Sequence, residues 1–140
     1  MKILILNGPN LGRLGQREPD IYGHRTMEDY MDDLQCQFPS IDIQLRQSNC
    51  EGTLIDILEE ADQDDQMAGI VLNAGAYTHT SIALQDAIRA ITTPVIEVHI
   101  SNVTQREAFR HTSMISPACK GIIIGFGLKS YQLALQSFLK

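Results

Sequence analysis

Three short stretches of this 140-residue chain put groups able to move protons or hold a polar ligand directly behind apolar runs. Asn7, Pro9 and Asn10 follow Ile3 to Leu6, and Asn73, Gly75 and then "YTHTS", with His79, follow Ile70 to Leu72. His99, Ser101 and Asn102 close the run "VIEVHI". Histidine exchanges protons near neutrality, and amides and hydroxyls orient polar ligands. A single Asn in such a place is ordinarily a turn residue. Three strand ends of this composition, with two histidines among them, point to a binding site. A fourth group of polar side chains lies on "NGPNLGRLGQREPDIYG", residues 7 to 23, which carries Arg13, Arg17, Glu18 and Tyr22. A connection of that length in a compact domain is either functional or disordered.

The elements that must position these residues are legible in the hydrophobic spacing. Ile3 to Leu6 is a continuous apolar run, as expected of a parallel strand covered on both faces. Met27, Tyr30, Met31, Leu34 and Phe38 recur at helical spacing behind Thr26, which with Asp29 resembles a capping box. Ile41, Ile43 and Leu45 alternate, the pattern of an edge strand with one wetter face. Leu54, Ile57, Leu58 and Ala61 mark a second helix, closed by the acidic stretch "EEADQDDQ", which reads as solvated surface. Ile70 to Leu72 is a third strand. Leu84, Ala87, Ile88 and Ile91 mark a third helix, "VIEVHI" a fourth strand after Pro94, and "GIIIGF" a fifth that reads as fully buried. Leu128, Tyr131, Leu135 and Phe138 line a C-terminal helix. Five βα units predict an α/β fold: a flavodoxin-like, doubly wound, five-stranded parallel sheet of order 2-1-3-4-5. Such sheets bind ligands outside the carboxyl ends of their strands, where the polar residues lie. The length predicts one domain over residues 1–140, with the long connection spanning about 11–25.

Composition removes several classes of function. A net charge of −6 and a pI near 5.0 argue against general affinity for nucleic acid or an anionic membrane. No apolar run reaches transmembrane length, and Met1-Lys2 with four apolar residues is too short for a signal peptide. The three cysteines, Cys36, Cys50 and Cys119, are scattered and odd in number, which fits a reducing cytoplasm. No Cys/His cluster suggests a metal. "NGPNLGRLG" is neither a GxGxxG nor a GxxxxGK[ST] loop, and no GxSxG elbow exists.

"NGPNLGRLGQREPDIYG", "LNAGAYTHTSIALQD" and "EVHISNVTQREAFR" resemble the signature segments of the type II 3-dehydroquinate dehydratases, or type II dehydroquinases. The resemblance covers essentially the whole chain. Many members carry Asn where this chain has Gly12, a difference expected to act on loop mobility. The resemblance implies an anti dehydration of 3-dehydroquinate to 3-dehydroshikimate through an enolate, with no metal and no cofactor. That step belongs to the shikimate route to chorismate and the aromatic amino acids, and to quinate breakdown. By the same resemblance Tyr22 is the base, Arg17 stabilises its phenolate, and Glu18 supports the arginine. His99 is the general acid. Asn10 is associated with an enolate-stabilising water. Asn73, His79 and Arg110 bind substrate, and the Ile100 and Ser101 backbone N–H groups with the Ser101 hydroxyl receive its carboxylate. Arg13 and Arg106 stand beside these motifs as supporting candidates. The lysines, Lys2, Lys120, Lys129 and Lys140, all fall outside the signature segments, against a Schiff-base mechanism.

The resemblance further implies a cytoplasmic homo-oligomer of trimers, a dodecamer, in which Asp86 on the third helix reaches a neighbouring subunit's site. The competing reading is a flavodoxin-like ligand-binding or interaction domain without catalysis.

Overall fold

The computed structural model describes residues 1–13, 20 and 25–140. Five parallel strands form one sheet in the order β2-β1-β3-β4-β5. They are β1 (Lys2–Asn7), β2 (Asp42–Gln47), β3 (Met67–Asn73), β4 (Val95–His99) and β5 (Gly121–Ile124). Among the described residues four α-helices connect or follow them: α1 (Met27–Gln37), α2 (Glu51–Asp62), α3 (Ile82–Ala90) and α4 (Lys129–Ser137). This is the flavodoxin-like arrangement expected from the spacing.

Alternation along the central strands splits the core in two. Ile3, Ile5, Val71 and Val98 face α1 and α4, where Tyr30, Leu34, Tyr131 and Leu135 pack on them. Leu4, Leu6, Ile70 and Leu72 face α2 and α3, against Leu54, Leu58, Leu84 and Ile88. Burying such a side chain contributes about 1.5–3 kcal/mol, and a strand that gives residues to both faces must be apolar throughout. That explains the unbroken runs of β1 and β3. β2 lies at the edge and buries only Ile43 fully, as its alternation requires.

Polar side chains cap the N-termini of α1 and α3. Thr26 Oγ1 accepts from Asp29 N at 3.1 Å to open α1, and Ser81 Oγ accepts from Leu84 N at 2.9 Å to open α3. The acidic stretch at the end of α2 is more than solvated surface. Asp62 Oδ1 accepts from the backbone N–H and hydroxyl of both Thr92 and Thr93, and Lys2 Nζ donates to Asp64 at 2.6 Å. It ties the end of α2 to the entry of β4 and the start of β1.

Two expectations are corrected. The chain does not form five complete βα units: β4 and β5 are joined by single 3-10 turns at Val103–Gln105, Ala108–Arg110 and Ser116–Ala118. Side-chain competition explains it, since Asn102 Oδ1 takes the Thr104 N–H and hydroxyl and Pro117 lacks a donor. Nor is β5 fully buried in the single chain, where Ile122 is 47% exposed and its neighbours are half-buried. No helix among the described residues is long and apolar enough to cross a membrane.

Candidate functional site

The crevice lies where the strand order reverses, at the carboxyl ends of β1, β3 and β4. A cavity of about 170 Å³ there is lined by Pro9, Asn10 and Leu11 after β1, by Asn73, Gly75, Ala76 and His79 after β3, and by His99, Ile100, Ser101, Val103, Arg106 and Arg110 after β4. Of the residues expected to act, it brings together Asn10, Asn73, His79, His99, Ile100, Ser101 and Arg110. Arg106, expected only as a supporting residue, is part of the wall. Asp86 is exposed in the second turn of α3 and does not line the cavity of its own chain. Arg17, Glu18, Tyr22 and most of the long connection lie outside the described residues.

The β1 and β3 ends are held tightly together. Gly8 N donates to Asn73 O at 2.7 Å, and a Cβ on Gly8 would come within 2.5 Å of Ala74 O. Gly75 takes φ +59°, a left-handed conformation that glycine adopts without strain. Asn10 adopts φ 68°, one of the few non-glycine types that tolerates it. Its backbone N–H donates to Asn49 Oδ1 at 3.0 Å, and Gln47 joins Asn49 to Gly8 O. The β2–α2 connection therefore buttresses the loop that presents Asn10. A side chain at Gly12 would press on Gln47, 3.1 Å from its Oε1.

His99 and Glu97 are one strand period apart, so both side chains point to one face of β4. His99 Nε2 lies 2.5 Å from Glu97 Oε2, and both are buried. Ser113 and Ser116 donate to the other carboxyl oxygen at 3.1 and 2.6 Å. Burial pushes the Glu97 carboxyl up, but the hydrogen bonds from His99, Ser116 and Ser113 together outweigh it and hold it below its ordinary value. An ionised Glu97 only accepts, so His99 carries a proton on Nε2 and Nδ1 is the nitrogen not engaged with Glu97.

His79 stacks beside His99, ring centroids 6.2 Å apart. Its Nδ1 faces Thr112 O at 2.8 Å, and a carbonyl only accepts, so Nδ1 carries the proton. Burial lowers the His79 pKa below 6.5, against the raising effect of the Thr112 bond and with the nearby His99 and Arg110 adding to the lowering. The ring is therefore neutral at neutral pH and offers Nε2 as an acceptor. Glu107 accepts from Arg110 Nε at 2.8 Å, and Arg106 Nη1 reaches Ser101 Oγ at 3.5 Å. No carboxylate is among the described lining residues, whereas two arginines are. A cavity so charged suits an anionic, hydroxylated ligand. Glu97 was missed by sequence reasoning, although an acidic residue two positions before His99 in a central strand signalled it.

Residues 1–139 match the family described as Dehydroquinase class II. The chain is 58% identical over 137 residues to the 3-dehydroquinate dehydratase of Rhizobium johnstonii, covering 96% of this chain and 93% of that protein. A 3-dehydroquinate dehydratase from Exiguobacterium is 52% identical, covering all of this chain and 95% of that one. Among solved structures, the type II dehydroquinase of Butyrivibrio crossotus superposes with a TM-score of 0.93 at 46% identity, covering 100% of this chain and 98% of that one. With that agreement in sequence and overall fold, the chain belongs to the class II dehydroquinase family.

Proposed function

We infer that the chain is a lyase that dehydrates 3-dehydroquinate to 3-dehydroshikimate. The observation that carries this reading is the convergence of Asn10, Asn73, His79, His99, Ser101 and Arg110 on one cation-lined cavity, in a chain of this family. The reaction removes a proton α to a ketone, stabilises an enolate, and expels a hydroxyl with a proton supplied to it. Tyr22 is the base, and the Arg17 charge favours its phenolate, with Glu18 supporting that arginine. His99 protonates the departing hydroxyl from Nδ1 as the doubly protonated ring, whose Nε2–H and positive charge the Glu97 carboxylate holds. Asn10 holds a water at the enolate oxygen. The Ile100 and Ser101 N–H groups and the Ser101 hydroxyl take the carboxylate; Asn73, neutral His79 and Arg110 take the ring hydroxyls.

The residues just named fall into one catalytic domain, 1–140, whose lid spans about 11–25. The working form is a cytoplasmic homo-oligomer of trimers, a dodecamer, with Asp86 supplied across a subunit interface. Three free cysteines, two of them exposed, support the reducing compartment.

Mixing purified protein with 3-dehydroquinate and following the conjugated enone product by ultraviolet absorbance tests the activity. Steady formation of the enone is expected. Stoichiometric binding without turnover would favour the non-catalytic domain.

A further inference from the structure

Tyr131, in the first turn of the C-terminal helix α4, lines no part of the cavity, yet its hydroxyl joins the ends of the two strands that build it. Asn7 and Asn73 are cross-strand partners in the β1–β3 register, and both face α4. Tyr131 Oη lies 2.8 Å from Asn7 Oδ1 and 3.0 Å from Asn73 Nδ2. All three side chains are buried.

The direction of each hydrogen bond follows from one fixed donor. Gly75 N–H can only donate, and it meets Asn73 Oδ1 at 3.2 Å. The Asn73 amine must then face Tyr131, which accepts one of its two N–H bonds. The phenol is kept neutral by burial, which raises its pKa against the opposing bonds from Asn73 and Asn7, so its single proton goes to Asn7 Oδ1. With the Asn73 oxygen and one of its N–H bonds engaged, the group left for a ligand is the second N–H, a donor.

We propose that Tyr131 is a positioning residue for substrate: by holding the Asn73 amide in one orientation, it makes Asn73 present an N–H donor to a substrate oxygen. Asn7, which does not line the cavity, sets the direction of the Tyr131 hydroxyl and belongs to the same device. The inference rests on reading Asn73 as a substrate-binding residue. Without the phenolic oxygen, one Asn73 donor and the Asn7 acceptor lose their partner, and the Gly75 N–H bond to Oδ1 alone is left to hold the amide's orientation.

The test is steady-state kinetics with 3-dehydroquinate on Tyr131→Phe, Asn73→Ala and the double variant. A net hydrogen bond of ordinary strength predicts that Tyr131→Phe raises KM about three- to tenfold with little change in kcat, because the contact is equal in ground and transition states. Asn73→Ala should raise KM as well, and adding Tyr131→Phe to it should raise KM no further. A general loss of packing would instead add to the Asn73 effect, so additive changes overturn the proposal. So does a wild-type KM for Tyr131→Phe beside a raised KM for Asn73→Ala. An Asn73→Ala variant with wild-type KM removes the substrate-binding reading, and with it the role of Tyr131. Should Tyr131→Phe fail to fold, Asn7→Leu removes the acceptor that orients the hydroxyl. A raised KM supports the proposal and an unchanged one overturns it.

Discussion

At the scale of single residues, proton traffic in the cavity depends on partners that the reacting groups do not choose themselves. Glu97 is buried yet held below the ordinary carboxyl value of 4.5 by three hydrogen bonds. A depressed folded-state pKa means the carboxylate stabilises the fold fully above that ordinary value and loses its contribution as pH falls through the lowered one. Wild-type protein should therefore lose its stability advantage over Glu97→Gln as the pH drops below about 4.5, followed by urea unfolding at successive pH values. A constant gap between the two proteins would mean that folding does not shift the Glu97 pKa, and a gap that grows in favour of the wild type as the pH falls would mean that Glu97 is protonated in the fold. The proposed base makes a separate demand. Tyr22→Phe removes one oxygen, so kcat should fall by about 10²–10⁴-fold while substrate binding is largely kept, as measured by steady-state rates and by equilibrium titration. Near wild-type turnover would require another base. His99 was legible from the sequence because it ends a strand beside polar residues. Its proton position was not, because that is set by Glu97, Ser113 and Ser116, and the two serines come from a connection without periodicity.

At the scale of elements, the sequence signals succeed where one pattern dominates and fail where two compete. β1, β3 and the four helices carry strong periodicity and form where it puts them. The β4–β5 connection holds no helical stripe, and its Asn, Ser and Thr side chains take backbone partners of their own, so it folds as 3-10 turns around Arg106 and Arg110. β5 reads as buried because an apolar edge strand has the same composition as a central one, and in the single chain it is partly exposed. Capping is a local signal with a measurable weight. Ser81 opens α3 two residues after His79, and its hydroxyl is buried on the Leu84 N–H. Ser81→Ala should cost about 1 kcal/mol in denaturant unfolding, and Ser81→Thr, which keeps the acceptor, should cost less. Equal losses from both would show that packing at this position, and not the cap, sets the cost.

At the scale of the whole molecule, a single chain leaves its site without the one acidic group that the family resemblance assigns to substrate. The described lining contains two arginines and no carboxylate, and Asp86 sits exposed on α3 outside it. Large apolar side chains are exposed on the same chain: Ile82 at 62%, Phe109 at 65%, Ile122 at 47% and Phe126 at 61%. Water is a poor partner for such groups, and covering them against another copy removes apolar area from solvent. A closed assembly of identical chains can do both, covering the apolar surface and delivering Asp86 to a neighbour's cavity. Asp86→Asn and Tyr22→Phe make the arrangement testable, since each variant alone should turn over weakly. Dissociated and reassembled together, they should form sites that take Tyr22 from one chain and Asp86 from the next. In a random one-to-one mixture about one site in four then holds both intact groups, and activity should recover toward that fraction. If Asp86 served the site of its own chain, no mixed site would be complete and recovery would be absent in oligomers whose mixed composition mass spectrometry has verified. A monomer with full activity would also remove the shared site, while leaving the dehydratase reaction untouched.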